Sequence, residues 1–172
     1  LWIWMGDAAG ADTRLITRFP CNTDPQRRLS RNELRIEAHY QLIIDNLLDL
    51  SHIAYLHADS LGNADCYRAK STVQLDGTAV HDRRIVHDTT APAAFEHICG
   101  PGVRVDYWLD ARVTPPGEYY LDVGTKPTGR PRSEGGGVLS VQILTPISET
   151  ATMYHWTVCR DYDLDNEQLT GI

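Results

Sequence analysis

A chain of 172 residues that is 42% hydrophobic and 23% charged suits one soluble globular domain with its own core. Its formal charge of −7 argues against a nucleic-acid partner or an anionic membrane, because both need a basic face. A small acidic substrate stays open, since a single arginine can hold a carboxylate.

Leu1 to Met5 reads as one strand closed by Gly6-Asp7. It is too short for a membrane span and lacks the basic flank of a signal peptide. The chain does not begin with Met and stops at Gly171-Ile172, so the expectation is a segment of a longer protein. Residues 7–32 are rich in Asp, Arg, Pro and Asn and show no period, which predicts a linker or loop. Leu34, Ile36 and Ala38 alternate with polar residues, predicting a strand over 33–39.

The period then changes. Between Tyr40 and His57 the apolar positions Leu42, Ile43, Leu47, Leu50, Ile53, Ala54 and Leu56 follow helical spacing. Asp45, Asn46, Asp49 and His52 interrupt them. After Gly62 the pattern turns to strands, predicted at 67–75, 79–87, 103–113, 119–125, 138–144 and 150–161. Asp76-Gly77, Pro115-Pro116-Gly117, Gly135-Gly136-Gly137 and Thr145-Pro146 supply the turns. Short turns make consecutive strands antiparallel. A second helix is expected to start near Asp163 or Asp165. The fold class that follows is α+β, a curved antiparallel sheet of about six strands covering a long helix, with a cavity between them for an apolar ligand.

Cys21, Cys66, Cys99 and Cys159 are scattered, with no Cys-x-x-Cys or Cys-x-His pair. They hold no zinc or iron–sulfur cluster locally and are expected as free thiols of a reducing cytoplasm. The informative set is Asp49, His52 and His57. Two neutral imidazoles can bind a divalent transition metal that a carboxylate completes. Asp49 and His52 are neighbours on a helix surface. His52 and His57 are about 140° apart on an ideal helix, so they share a metal only if the helix ends or distorts. The stop signals in Ala58 to Asn63 place His57 at an unwound helix end. A solvated helix face is the bland alternative for these polar positions.

The run Asn46-x-x-Asp49-x-x-His52-x4-His57 resembles the oxygenase component of Rieske non-haem iron aromatic oxygenases, in the branch of vanillate O-demethylase and dicamba-type monooxygenases. Leu1 to Asp7 resembles the last strand of that family's Rieske domain. Ile143-Leu144-Thr145-Pro146 with Glu149-Thr150, Tyr154-His155-Trp156 and Arg160-Asp161-Tyr162 resemble its paired late strands. The resemblance implies a helix-grip (START-like) catalytic domain over 33–172, truncated at its C-terminus, with residues 1–32 as the end of the Rieske domain and a linker. It implies His52 and His57 as ligands of a mononuclear Fe(II), and Asp49 as a carboxylate bridging an iron-ligand histidine to a cluster-ligand histidine of a neighbouring subunit. Asn46 becomes a polar wall residue near the open iron positions. The third iron ligand lies outside this chain, as does the 2Fe-2S cluster. The full enzyme is then a homotrimer fed from NADH through a ferredoxin or reductase, and it uses dioxygen to demethylate or hydroxylate an aromatic, carboxylated substrate. Hydroxylation of a methoxy carbon gives a hemiacetal that sheds formaldehyde. The fragment alone is expected to be inactive.

Cavity residues are expected on alternating strand positions, Leu121, Val123, Gln142, Leu144, Trp156 and Val158. Gln142, Leu121 and Trp156 are the named substrate contacts, although an outward-facing Gln142 is equally consistent with the pattern. Arg104, Arg112, Arg130 and Arg132 are candidate carboxylate partners. His155 is expected to pack beside Trp156, with a cavity role as the alternative. The rival from another class is a metal-free hydrophobic-ligand carrier, because fold does not fix function. A zinc hydrolase fits less well, since the usual helical pair is four apart with a glutamate between.

Overall fold

Turn chemistry sets the frame. Gly77 sits at φ +59°, a conformation L side chains resist, and closes a hairpin in which Asp76 faces Ala79. The same logic repeats along a chain whose computed structural model describes residues 3–170. The strands are β1 (Arg28–Ile36), β2 (Ser71–Asp76), β3 (Ala79–Thr90), β4 (Arg104–Thr114), β5 (Glu118–Pro127), β6 (Gly136–Ser148) and β7 (Ala151–Arg160). They form one antiparallel sheet in the order β1-β7-β6-β5-β4-β3-β2. No helix among the described residues is long and apolar enough to cross a membrane.

The helix-grip architecture is present, with a seven-stranded sheet and three short helices, α1 (Tyr40–Leu48), α2 (Ile53–Leu56) and α3 (Glu96–Cys99). Leu50 and Ile53 from the helical segment pack with Phe95 and with Tyr107, Leu109, Val113, Tyr119 and Val123 of the strands. This is the main core. A second cluster joins Cys21, Val141 and Cys159, with Phe19 and Tyr120 against it.

Five local expectations change. Thr145-Pro146, expected as a turn, lies inside β6, where Pro146 pairs with Thr152 and the register shifts just beyond it. The long helix over Tyr40–His57 is broken. Asp49 leaves the helical region at ψ 72°, and a 3-10 turn over Leu50–His52 separates α1 from α2. The cause is local: the Asp49 carboxylate accepts from Ser51 N at 3.1 Å and from Ser51 Oγ. Short polar side chains compete for backbone donors in this way and interrupt helices.

β1 starts at Arg28, inside the segment read as a linker. It is an edge strand with only Ser30 buried, so cross-strand pairing defines it and hydrophobic alternation does not. Ile3 to Met5 carry no strand pairing, while Leu1 and Trp2 of that expected strand lie outside the described residues. Residues 8–23 contain three 3-10 turns, and Cys21 is buried. At the other end a 3-10 turn over Glu167–Thr170 stands where a helix was expected, and its donor is met by Asn166 rather than by an aspartate.

Candidate metal centre and adjoining cavity

The break at Asp49 reorients the residues that follow. His52 begins α2 at φ −60°, ψ −25°, and His57 leaves it at φ −124°, ψ 26°. The five-residue spacing no longer separates their faces: the ring centroids lie 5.3 Å apart with planes at 69°. A metal about 2.1 Å from one nitrogen of each imidazole, with roughly 90–110° between bonds, puts ring centroids about 4.6–5.3 Å apart. The pair therefore fits two adjacent ligand positions.

The tautomer at His52 fits too. Its Nδ1 lies 2.5 Å from the Asp49 carbonyl. A proton on Nδ1 donates to that oxygen and leaves the Nε2 lone pair for a metal. The Asp49 side chain is exposed, and its hydrogen bonds from Ser51 hold the carboxyl below the usual aspartate range. Asn46 is exposed on the last turns of α1. Among the described residues no three His, Cys, Asp or Glu side chains gather as a metal site, so the donors present are the two imidazoles.

His57 is held by the loop that follows it. Its carbonyl accepts from Ser60 N at 3.0 Å and Gly62 N at 2.9 Å. A Cβ on Gly62 would stand 2.2 Å from the Ile53 carbonyl oxygen, so only glycine lets the loop fold onto α2. The buried Tyr107 donates to the Leu61 carbonyl at 2.7 Å. Asn63 ties the loop to β3 through Thr89 Oγ1 and the Thr90 carbonyl.

The other expected residues meet elsewhere. Leu121, Gln142 and Trp156 all line one cavity of about 490 Å³, with Val123 and Val158. Leu144 is buried but is not part of that lining. The cavity takes its cover from Leu61, Ala94, Phe95 and His97, and from Tyr162 and Leu169 near the chain end. Asn46, Asp49, His52 and His57 are not in the lining. Leu61, four residues past His57, is the nearest link in the chain between the two.

Sequence reasoning missed Ser140, Tyr154, Arg28 and Arg160 in this wall. Ser140 was findable, because it stands two residues before Gln142 and so shares its face. The four candidate arginines are engaged outside it. Arg104 pairs with Asp88, Arg130 with Glu134, Arg132 with Asp110 and Asp122, and Arg112 lies over Tyr120. The alternative role for His155 is excluded from this cavity: its Nδ1 is 3.0 Å from Glu33, and it lines a separate hollow with Asn22 and Arg31.

The family model described as the vanillate O-demethylase oxygenase C-terminal domain matches residues 36–172. The chain belongs to that family. Among the relatives of this oxygenase family is a vanillate O-demethylase oxygenase subunit from Pseudomonas sp. (strain ATCC 19151), 31% identical over 99% of this chain and 55% of its own length. The dicamba O-demethylase oxygenase component of Stenotrophomonas maltophilia is 28% identical, with 100% of this chain and 51% of that protein covered. The crystal structure of dicamba monooxygenase bound to 3,6-dichlorosalicylic acid superposes with a TM-score of 0.90 at 26% identity, over 99% of this chain and 50% of that one. The chain thus spans about half the length of the curated relatives it matches.

Proposed function

We propose that this chain is the catalytic part of a terminal oxygenase that uses dioxygen to demethylate or hydroxylate an aromatic substrate. The observation that carries the reading is the His52–His57 pair, 5.3 Å between ring centroids, in a chain of this oxygenase family. One related structure is of dicamba monooxygenase with non-heme iron and dicamba. A relative from Comamonas testosteroni is named the iron-sulfur subunit of a toluene-4-sulfonate monooxygenase system.

In this reading His52 and His57 hold a mononuclear Fe(II), and a carboxylate from outside the chain completes its site. Bound there, Fe(II) would supply dioxygen activation. The chain's own residues do the rest. The Asp49 carbonyl orients the His52 ring. The Asp49 carboxylate, exposed and kept ionised, faces outward to a neighbouring subunit's Rieske 2Fe-2S cluster ligand, which implies a homotrimer. Asn46 is a polar wall residue beside the metal. Leu121 and Trp156 bury the aromatic ring, and Gln142 hydrogen-bonds its polar substituent. Electrons come from NADH through a ferredoxin or reductase. Residues 1–32 end the cluster domain and link it to the catalytic domain of 33–172, with Arg28–Asn32 the part of that link paired into the catalytic sheet. The cysteines Cys21, Cys66, Cys99 and Cys159 are free thiols, which supports a cytoplasmic setting.

The test is the full-length protein purified without oxygen. One iron per chain beyond the cluster, and formaldehyde released from an aromatic methyl ether, are expected. A protein free of mononuclear iron that still binds aromatic ligands would establish the carrier reading instead. Replacing Asp49 by Asn should stop electron delivery while iron stays bound; unchanged turnover would remove the bridging role.

A further inference from the structure

Three polar side chains from two neighbouring strands touch in a row inside the cavity. Tyr154 Oη donates to Gln142 Oε1 at 2.6 Å, and Gln142 Nε2 donates to Ser140 Oγ at 3.1 Å. All three line the cavity beside Leu121, Trp156 and Val158. The register explains the row. Gln142 faces Trp156 and Ser140 faces Val158 across β6 and β7, so Tyr154, two residues before Trp156, reaches Gln142 diagonally.

Protons can be counted along it. The phenol carries one, the amide two and the serine hydroxyl one. Two are consumed by the internal bonds and two remain. The count is the same whichever way the amide is turned, because both hydroxyls can donate or accept. Polar protons turned into a half-buried cavity that also carries Arg28 and Arg160 call for an acceptor more strongly than spare lone pairs call for a donor. Burial pushes the Tyr154 hydroxyl up to about 12, so it keeps its proton through the neutral range.

We propose that Tyr154 is a positioning residue that locks the Gln142 amide, so that the cavity wall donates hydrogen bonds and selects an aromatic ring bearing an acceptor oxygen. This rests on reading the cavity as the substrate site. A carbonyl, carboxylate or sulfonate oxygen would satisfy the surplus protons. Without the phenol, Gln142 Oε1 loses its partner. Two protons still remain, but no bond fixes where they point and Oε1 competes for the same face, so the selection relaxes.

The experiment is calorimetric titration of the full-length, metal-loaded protein with three probes. Acetophenone carries a neutral acceptor, ethylbenzene is a similar shape without one, and benzoate carries a charged acceptor. The wild type should bind acetophenone at least about tenfold more tightly than ethylbenzene, the worth of roughly one net hydrogen bond. Tyr154→Phe should leave ethylbenzene affinity within about twofold and compress the ratio to about threefold or less. Gln142→Glu keeps an acceptor for Tyr154 but removes both amide protons. It should abolish the acetophenone preference and reject benzoate, again with ethylbenzene retained. A Tyr154→Phe protein that keeps the wild-type ratio overturns the positioning role while the cavity reading stands. If neither ring binds the wild type, or if filling the cavity with Leu121→Trp leaves binding unchanged, the cavity reading itself falls, and this inference with it.

Discussion

The metal segment and the cavity wall are built in opposite ways. His52 and His57 belong to one short stretch, and the hydrogen bonds that turn them are local, Asp49 to Ser51, Asp49 to His52, His57 to Ser60 and Gly62, while Tyr107 and Asn63 anchor the loop beyond them. The cavity wall joins residues from β1, β5, β6 and β7 that meet only through strand register. The proposed metal segment is largely exposed, whereas the wall, Arg28 apart, is half-buried or buried. A site that must meet another group can sit on the surface in a short, locally specified element. A site that must enclose a ligand needs many strands.

Four changes would break or sharpen this contrast. The largest effect belongs to the ligands. His52→Ala or His57→Ala in the full-length protein should empty the iron site and cut turnover by at least about a hundredfold, while cluster absorbance and ligand binding in the cavity persist. Metal analysis beside calorimetry would show whether the two regions are separable. Loss of cavity binding with the iron would break the comparison.

Gly62→Ala tests the support of the metal segment. The added methyl would meet the Ile53 carbonyl at 2.2 Å, so α2 or the loop must move. A loss of about 2–3 kcal/mol is expected in denaturant unfolding, together with weaker iron retention.

Asp106 belongs to neither region and stands opposite the bulge between Val86 and Thr89. Burial pushes its carboxyl up, but hydrogen bonds from Lys126, the Asp88 and Gly129 N–H groups and His87 outweigh that and hold it at about 2. Its folded value is depressed from 3.8. The stabilisation is therefore complete above about pH 5 and is lost as pH falls toward 2, an amount of about 2 kcal/mol. Asp106→Asn should remove that part of the acid dependence. Unfolding curves at pH 6 and pH 3 would show it, and parallel slopes for both proteins would refute it.

The smallest effect is expected at the wall. Leu121→Ala should cost about 1 kcal/mol at a half-buried position and widen the cavity toward bulkier rings. Iron content should not change. A drop in iron would mean that the wall also shapes the metal segment.

The same contrast explains what could be read in advance. Asp49, His52 and His57 were legible as candidates because polar residues in an apolar helical run stand out. The need for a helix distortion followed from the five-residue spacing alone. The break at Asp49 was not legible, since Asp-x-Ser is common in helices and the competing hydrogen bond forms only if the chain turns there. Gln142 was legible as a polar position among apolar ones. Its links to Tyr154 and Ser140 were not, because the first depends on the register of two strands. β1 was half hidden for a related reason. An edge strand with little buried surface has no hydrophobic signature over Arg28–Asn32 and exists because β7 pairs with it.

By itself the sequence determined the run of antiparallel strands after Gly62, the turns at Gly77 and at Pro115-Pro116-Gly117 and the residue types of the imidazole pair, but not the last turn, since Thr145 and Pro146 lie inside β6. Those depend on local periodicity, turn chemistry and ligand preference, each encoded over a few residues. A local bond that forms only where the chain turns, Ser51 to Asp49, separates α1 from α2 and brings the two imidazoles to 5.3 Å; tertiary structure decided which side chains of four strands share one cavity. That depends on strand register between residues far apart in the chain, as where Ser30 of β1 pairs with Val158 of β7, and no short window of sequence carries it.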